Sequence, residues 1–319
     1  MRKYSAIILI SILFILLLSG CKKEVENRIS IAEQYGLAYA PLQIMKAKGF
    51  LEKNLPGIEV NWEQLGNTAA IREAMLAGKL DIGFMAIPPF LIAWDKGMKW
   101  KIISGLSISP LGLVTYRDDI KSIRDFSPED RIALPQPGSI QHILLSMACE
   151  REFSNPRKLD DLLVTMAHPD GMNALLSRKE ITAHFTSPPY IFKELKDGKM
   201  HQILSGKEAM GKEFTFIVGA ATEKFYDNNP RVYKAFVSSL REAIDFINDH
   251  PEEAAAILAT EYNLPEEEVL KYITWPGMKY TPVIKGLDEF AHFLKKNNYI
   301  SKIYASREEV IWEDVKDEK

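Results

Sequence analysis

From residue 28 onward the chain alternates between two hydrophobic periods. Short apolar or alternating runs fall at residues 29–32, 57–62, 80–85, 101–104, 113–116, 131–134, 163–166 and 181–185, and each reads as a strand. Within 57–62, for example, Ile58, Val60 and Trp62 alternate with polar neighbours. Between these runs lie stretches with helical spacing: residues 68–77, a segment opening at Ile87, one opening at Gly138 and Ser139, one near 169–177 and one opening at Pro188. In the third of these, Ile140, Ile143, Leu144 and Met147 share one face. Strands alternating with helices across short loops predict a mostly parallel sheet with helices on both faces, the α/β class. After Gly219 the pattern turns almost wholly helical. Val232, Tyr233, Phe236, Val237, Leu240, Ala243, Ile244 and Ile247 form one stripe, with Asn229 as the expected cap and Pro230 in the first turn. Further helices are expected near Pro251, Pro265 and Gly286, and the charged end, residues 307–319, reads as frayed or solvated. No low-complexity linker interrupts the chain, so a second domain inserted into the first is expected.

The N-terminus follows a different logic. Arg2 and Lys3 precede an apolar run over residues 6–18, and Ser19, Gly20 and Cys21 follow. The run is shorter than the roughly 20 residues that span a bilayer, and the small residues suit a signal peptidase. Leu18, Ser19, Gly20 and Cys21 resemble the bacterial lipobox, in which the cysteine thiol receives diacylglycerol. Residues 1–20 are therefore expected to be a lipoprotein signal peptide, Cys21 the lipidated first residue, and 21–27 a short polar tether. With 46% hydrophobic and 26% charged residues, the remainder reads as an ordinary globular protein outside the membrane. Without Arg2 and Lys3 the basic count falls from 40 to 38 against 43 acids, which argues against nucleic acid as a partner. Cys149, once Cys21 is acylated, has no disulfide partner and reads as a small core residue. At 319 residues the chain exceeds the usual single-domain size.

Ligands of open α/β sheets sit outside the carboxyl ends of the strands, where helix N-termini present free N–H groups. Five strand-to-helix loops there combine Gly, Pro, small hydroxyls and Tyr: residues 34–39, 66–68, 86–89, 138–141 and 186–190. They supply the candidate ligand-binding residues Gln34, Tyr35, Tyr39, Asn67, Thr68, Ile87, Pro88, Ser139, Gln141, Thr186, Ser187 and Tyr190. Asn67, Ser139 and Ser187 taken singly are better explained as helix caps, and only the five loops together favour a shared cleft. None of the five loops contains Lys or Arg, so an anion would be held by helix N-termini and neutral donors, while Tyr35, Tyr39, Phe185 and Tyr190 offer stacking surface for a heterocycle.

Several segments resemble the solute-binding proteins of nitrate, sulfonate and taurine importers. Ala40, Pro41 and Leu42 through Lys46, Lys48, Gly49, Phe50, Leu51 and Glu52 are similar to their first helix. The run Ala74, Met75, Leu76, Ala77, Gly78, Lys79, Leu80, Asp81, Ile82, Gly83 is similar to the segment before their third strand. Residues 86–89, 138–141 and 187–190 parallel their Pro-containing loop, second-domain helix start and Pro-Tyr motif. Pro188 stands where sulfonate-binding relatives often carry Asp. The resemblance implies a type II periplasmic-binding-protein fold, with lobe 1 from residues 28–114 and 219–319, lobe 2 from 115–218, and crossovers near 113–117 and 216–220. It also implies a monomer that passes its solute, the thiamine-pyrimidine precursors among the options, to a permease and an ATPase of an ABC importer, without cofactor or catalysis.

Two other classes compete. The same fold supports a thiamine-pyrimidine synthase, but that type relies on a cysteine-rich iron-binding motif, and this chain keeps only Cys149. His142 and His184 fall near the expected cleft as possible bases or contacts, yet the histidines at 142, 168, 184, 201, 250 and 292 have no metal-like spacing. A lipid-anchored sensor that binds a solute without transporting it fits the sequence as well.

Overall fold

The computed structural model describes residues 27–312 and 315. The expected signal peptide, Cys21 and all of the tether but Asn27 lie outside the described residues. Among the described residues eleven strands form two sheets. The first holds β1 (Arg28–Glu33), β2 (Glu59–Gln64), β3 (Ile82–Ala86), β4 (Trp100–Ile108), β10 (Ile217–Thr222) and β11 (Lys279–Tyr280), in the order β11-β4-β10-β3-β1-β2. The second holds β5 (Gly112–Thr115), β6 (Ile132–Leu134), β7 (Leu163–Thr165), β8 (Ala183–Thr186) and β9 (His201–Ser205), in the order β7-β6-β8-β5-β9.

The expected parallel pairing holds for β2, β1 and β3 and for β7, β6 and β8. These strands are joined by helices, as right-handed crossovers require. β10 instead runs antiparallel to both β3 and β4, and β5 antiparallel to both β8 and β9. The reason is the path of the chain. A segment that leaves one lobe beside the cleft enters the other from the cleft side, so it must run against strands whose carboxyl ends point there.

That path corrects the expected crossovers. Leu113, Val114 and Thr115 already pair within β5, so the first passage falls at residues 109–111 rather than 113–117. From Ile217 onward the chain is already in β10, so the second lies before 217 rather than at 216–220. The expected lobe limits at 114 and 219 therefore cut through two strands.

The long helix Pro230–Asp249 buries every residue of its expected stripe. It packs on the helices Ala40–Lys48 and Phe50–Asn54. Phe236, fully buried, meets Phe84 of β3 at 6.3 Å, and Phe246 meets Phe50 edge-on at 6.0 Å. Burying each such ring contributes ~1.5–3 kcal/mol. Asn229 precedes this helix without capping it through its side chain. Cys149 is buried, and burial pushes its thiol up to about 12, the behaviour of a core residue. The segment 307–312 departs from the frayed end that its charges suggest, while residues 313, 314 and 316–319 of the charged end lie outside the described residues. Val310 and Ile311 are buried, Ile311 bridges Ile102 of β4, and Trp312 stacks on Tyr226 at 3.7 Å. Three apolar residues suffice to dock it because the edge of β4 offers free backbone groups: Ile102 N–H donates to Val310 O at 2.8 Å and Trp312 N–H to Ile102 O at 3.1 Å.

Candidate functional site

The loop after β1 turns at Gly36, whose φ of 122° is poorly accessible to other residues. A Cβ there would stand 2.9 Å from Pro188 O of the second lobe. The missing side chain lets Leu37 N–H donate to Pro188 O at 3.0 Å, a direct bond between lobes. A second such bond runs from Ala69 N–H, in the first turn of the helix Thr68–Leu76, to Gln136 Oε1 at 3.3 Å. Between these contacts lies a cavity of about 30 Å³.

Six of the twelve candidate residues line it: Gln34, Tyr35, Tyr39 and Thr68 from the first lobe, Ser139 and Gln141 from the second. Gln34 is oriented by its amide, which donates to Thr68 Oγ1 at 3.2 Å and Phe84 O at 3.3 Å. Ser139 both caps the helix Ile140–Phe153, accepting from His142 N–H, and faces the cavity. The other six do not line it. Asn67 Oδ1 accepts from Ala70 N–H at 3.0 Å, so this side chain is a helix cap. Ile87 and Pro88 are buried in the first turn of the helix Ile87–Asp95, and their neighbours Ala86 and Pro89 reach the cavity instead. Ser187 lies near Gly36, while Thr186 and Tyr190 stand behind His168.

Pro135, Gln136 and His168 complete the second-lobe wall, and Phe216 and Ile217 join the first-lobe side. The sequence carried a signal for the former set, because Gln136 follows β6 and His168 follows β7, both at carboxyl ends of strands. Phe216 and Ile217 could be placed only by the return crossover.

Behind His168 runs a buried polar string. Gln141 Nε2 lies 3.1 Å from His168 Nε2, His168 Nδ1 lies 3.1 Å from His184 Nε2, and His184 Nδ1 lies 2.6 Å from Glu194 Oε1. Burial pushes both histidines down, His184 to about 3, and holds the Glu194 carboxyl well above its ordinary range. Both imidazoles are therefore neutral at pH 7, and burial favours the uncharged form of the Glu194 carboxyl. On the first-lobe side, Glu33 is likewise buried and pushed up to about 8, by burial first and Glu261 second. Tyr39, facing the cavity, is held well above its ordinary value by burial and by Glu33. None of the described residues lining the cavity is Lys or Arg.

His142 has a structural role: its Nδ1 accepts from Gly138 N–H at 2.8 Å and its Nε2 lies 3.0 Å from Asp160. Among the described residues no three His, Cys, Asp or Glu side chains are grouped to hold a metal. The site offers neutral donors and acceptors, aromatic walls and enclosure.

Comparison with known proteins agrees with this architecture. The model of the NMT1-like family matches residues 28–260. The taurine-binding periplasmic protein of Escherichia coli is 24% identical over 297 residues, covering 86% of this chain and 89% of that protein. The alkanesulfonate-binding protein of Xanthomonas axonopodis, solved with MOPS bound, superposes with a TM-score of 0.75 at 18% identity, over 89% of this chain and 98% of that one. The periplasmic nitrate-binding protein of Synechocystis superposes with a TM-score of 0.70 at 16% identity, over 90% and 86% of the two chains. At these identities the superpositions establish the two-lobed periplasmic-binding-protein fold.

Proposed function

The chain belongs to the NMT1-like family, and from that premise we propose that it is the extracytoplasmic solute-binding component of an ABC importer. The observation that carries this reading is the cavity itself, built from both lobes at the carboxyl ends of their strands and bridged by Leu37 to Pro188 and Ala69 to Gln136. Lobes that close on a solute convert binding into a change of shape, which a permease reads. With about 30 Å³ between the walls, the lobes must part at the two crossovers for a solute to enter. A lipid on Cys21 would keep the body, as a monomer, within reach of a permease and its ATPase.

The solute is a small oxyanion such as taurine, an alkyl sulfonate or nitrate, held by neutral donors and the exposed N–H groups at the start of the helix Ile140–Phe153. A small heterocycle stacked on Tyr35 or Tyr39 is the second reading, favoured by the aromatic first-lobe wall. An anchored sensor would use the same cleft and differ only in its membrane partner. The test is thermal unfolding of the soluble body with taurine, MOPS, nitrate, thiamine-pyrimidine precursors and riboflavin. A true ligand at a hundred times its Kd adds about 2.7 kcal/mol of stability, and Gln141→Ala should erase that gain. Absence of any gain across the panel, or turnover of one compound, refutes the reading.

A further inference from the structure

The buried string behind the cleft ends on an unmatched atom. Glu194 Oε2 is fully buried and has no hydrogen-bond partner among the described residues, whereas Oε1 lies 2.6 Å from His184 Nδ1. That asymmetry decides which way the protons point. If each group donated toward Glu194, its carboxyl would be either a buried anion facing two neutral imidazoles or an acid whose proton sits on the orphaned Oε2. The first leaves a charge without a counter-ion, and the second leaves a donor without an acceptor. In the opposite order Glu194 Oε1–H donates to His184 Nδ1, His184 Nε2–H to His168 Nδ1, and His168 Nε2–H to Gln141 Oε1, with the Gln141 amide turned over from the placement that sets its Nε2 against His168. The only unsatisfied group is then a carbonyl oxygen, the least costly of the three.

We propose that Glu194, His184 and His168 form a directional hydrogen-bond string that turns the Gln141 amide so that its NH2 group faces the cleft. The two ends of a glutamine amide occupy nearly the same space, and the proton order along the string determines which one meets His168. Three contacts hold the string in place. Thr186 Oγ1 lies 3.4 Å from His168 Nδ1, a second donor to the same acceptor. The Tyr190 ring stacks on His168 with centroids 5.8 Å apart. Gly171 leaves room for the His184 ring, since a Cβ there would stand 2.7 Å from Nε2. Burial, which pushes both imidazoles down and the Glu194 carboxyl up, agrees with this order. Glu194 and His184 are thus positioning residues. They make the second-lobe wall a donor surface, selecting solutes rich in acceptor oxygens over those that lead with N–H groups. The selectivity rests on the capture reading above, whereas the string does not.

Nitrogen-15 NMR of the histidines in the soluble body, with signals assigned through His168→Gln and His184→Gln, tests the proton order directly. The expected result is that both rings are neutral Nε2–H tautomers at pH 7. Nδ1–H tautomers or imidazolium at either ring overturn the proposal. Two variants separate orientation from packing. Glu194→Gln keeps a donor for His184 Nδ1 and should keep both tautomers, while Glu194→Met fills similar space without a donor and should leave the tautomers mixed. Retention of the wild-type tautomers in Glu194→Met also overturns it. With taurine and MOPS as probes, Glu194→Met should weaken binding by about tenfold or more and Glu194→Gln should rescue it; equal affinities would show that the string does not serve the cleft. If the wild type binds no probe, the capture reading fails while the tautomers still judge the string.

Discussion

Each lobe buries one glutamate behind the cleft, and the two are held differently. Glu194, in the second lobe, faces His184 at 2.6 Å and has no cation among the causes that set its ionisation. Glu33, at the end of β1 in the first lobe, has the Gln43 amide at 3.5 Å, and Gln43 in turn accepts from Tyr262 at 2.8 Å. Lys46 pulls against its burial and against Glu261, so its proton leaves at about 8. Burial raises both carboxyls, alone at Glu194 and together with Glu261 against Lys46 and Gln43 at Glu33, whose titration falls at about 8.

The largest expected effect follows from Glu33. The folded protein holds this carboxyl at about 8 against an ordinary 4.5, so between those values it binds more protons than the unfolded chain. The stabilisation is complete below pH 4.5 and is lost as pH rises through 8, with a slope of at most ~1.4 kcal/mol per pH unit. Thermal unfolding from pH 5 to 9 should show the wild type losing stability relative to Glu33→Gln, and parallel curves would remove Glu33 as the titrating group. Next in size is Gly171→Ala, whose new methyl must displace His184; a loss of ~1–3 kcal/mol is expected for overpacking of this kind, and denaturant unfolding measures it. The effect should be confined to the second lobe, leaving the Glu33 slope untouched. The smallest is Asn67→Ala. Loss of this cap should cost about 1 kcal/mol while leaving solute affinity within twofold in a calorimetric titration, because the Asn67 side chain does not line the cavity.

Much of the fold was legible because its signals are local. The stripe on Pro230–Asp249, the buried run of β3 and the Ser139 cap each depend on residues within a few turns of one another. The miss at Asn229 shows the limit of that logic: the residue type was right for a cap, but its side chain makes no capping bond. Likewise Ile87 and Pro88 sat in the correct loop, yet Ala86 and Pro89 face the cavity, since the direction of a side chain depends on how the whole helix sits. β9 and β11 carried too little periodicity to be read: β9 opens on the polar pair His201 and Gln202 and pairs with β5, and β11 is two residues long and pairs with β4.

The sequence by itself determined the α/β class and the polar, uncharged character of the candidate loops, because hydrophobic period and loop composition are properties of neighbouring residues. Only the tertiary structure decided which side chains share the cleft. Gln141, His168, His184 and Glu194 come from four separate stretches of the second lobe, and their hydrogen-bonded order depends on distances that no spacing along the chain encodes. It also set the titration of His184, since an imidazole of ordinary pKa and one pushed down to about 3 by burial have the same letter in the sequence and differ only in what surrounds them.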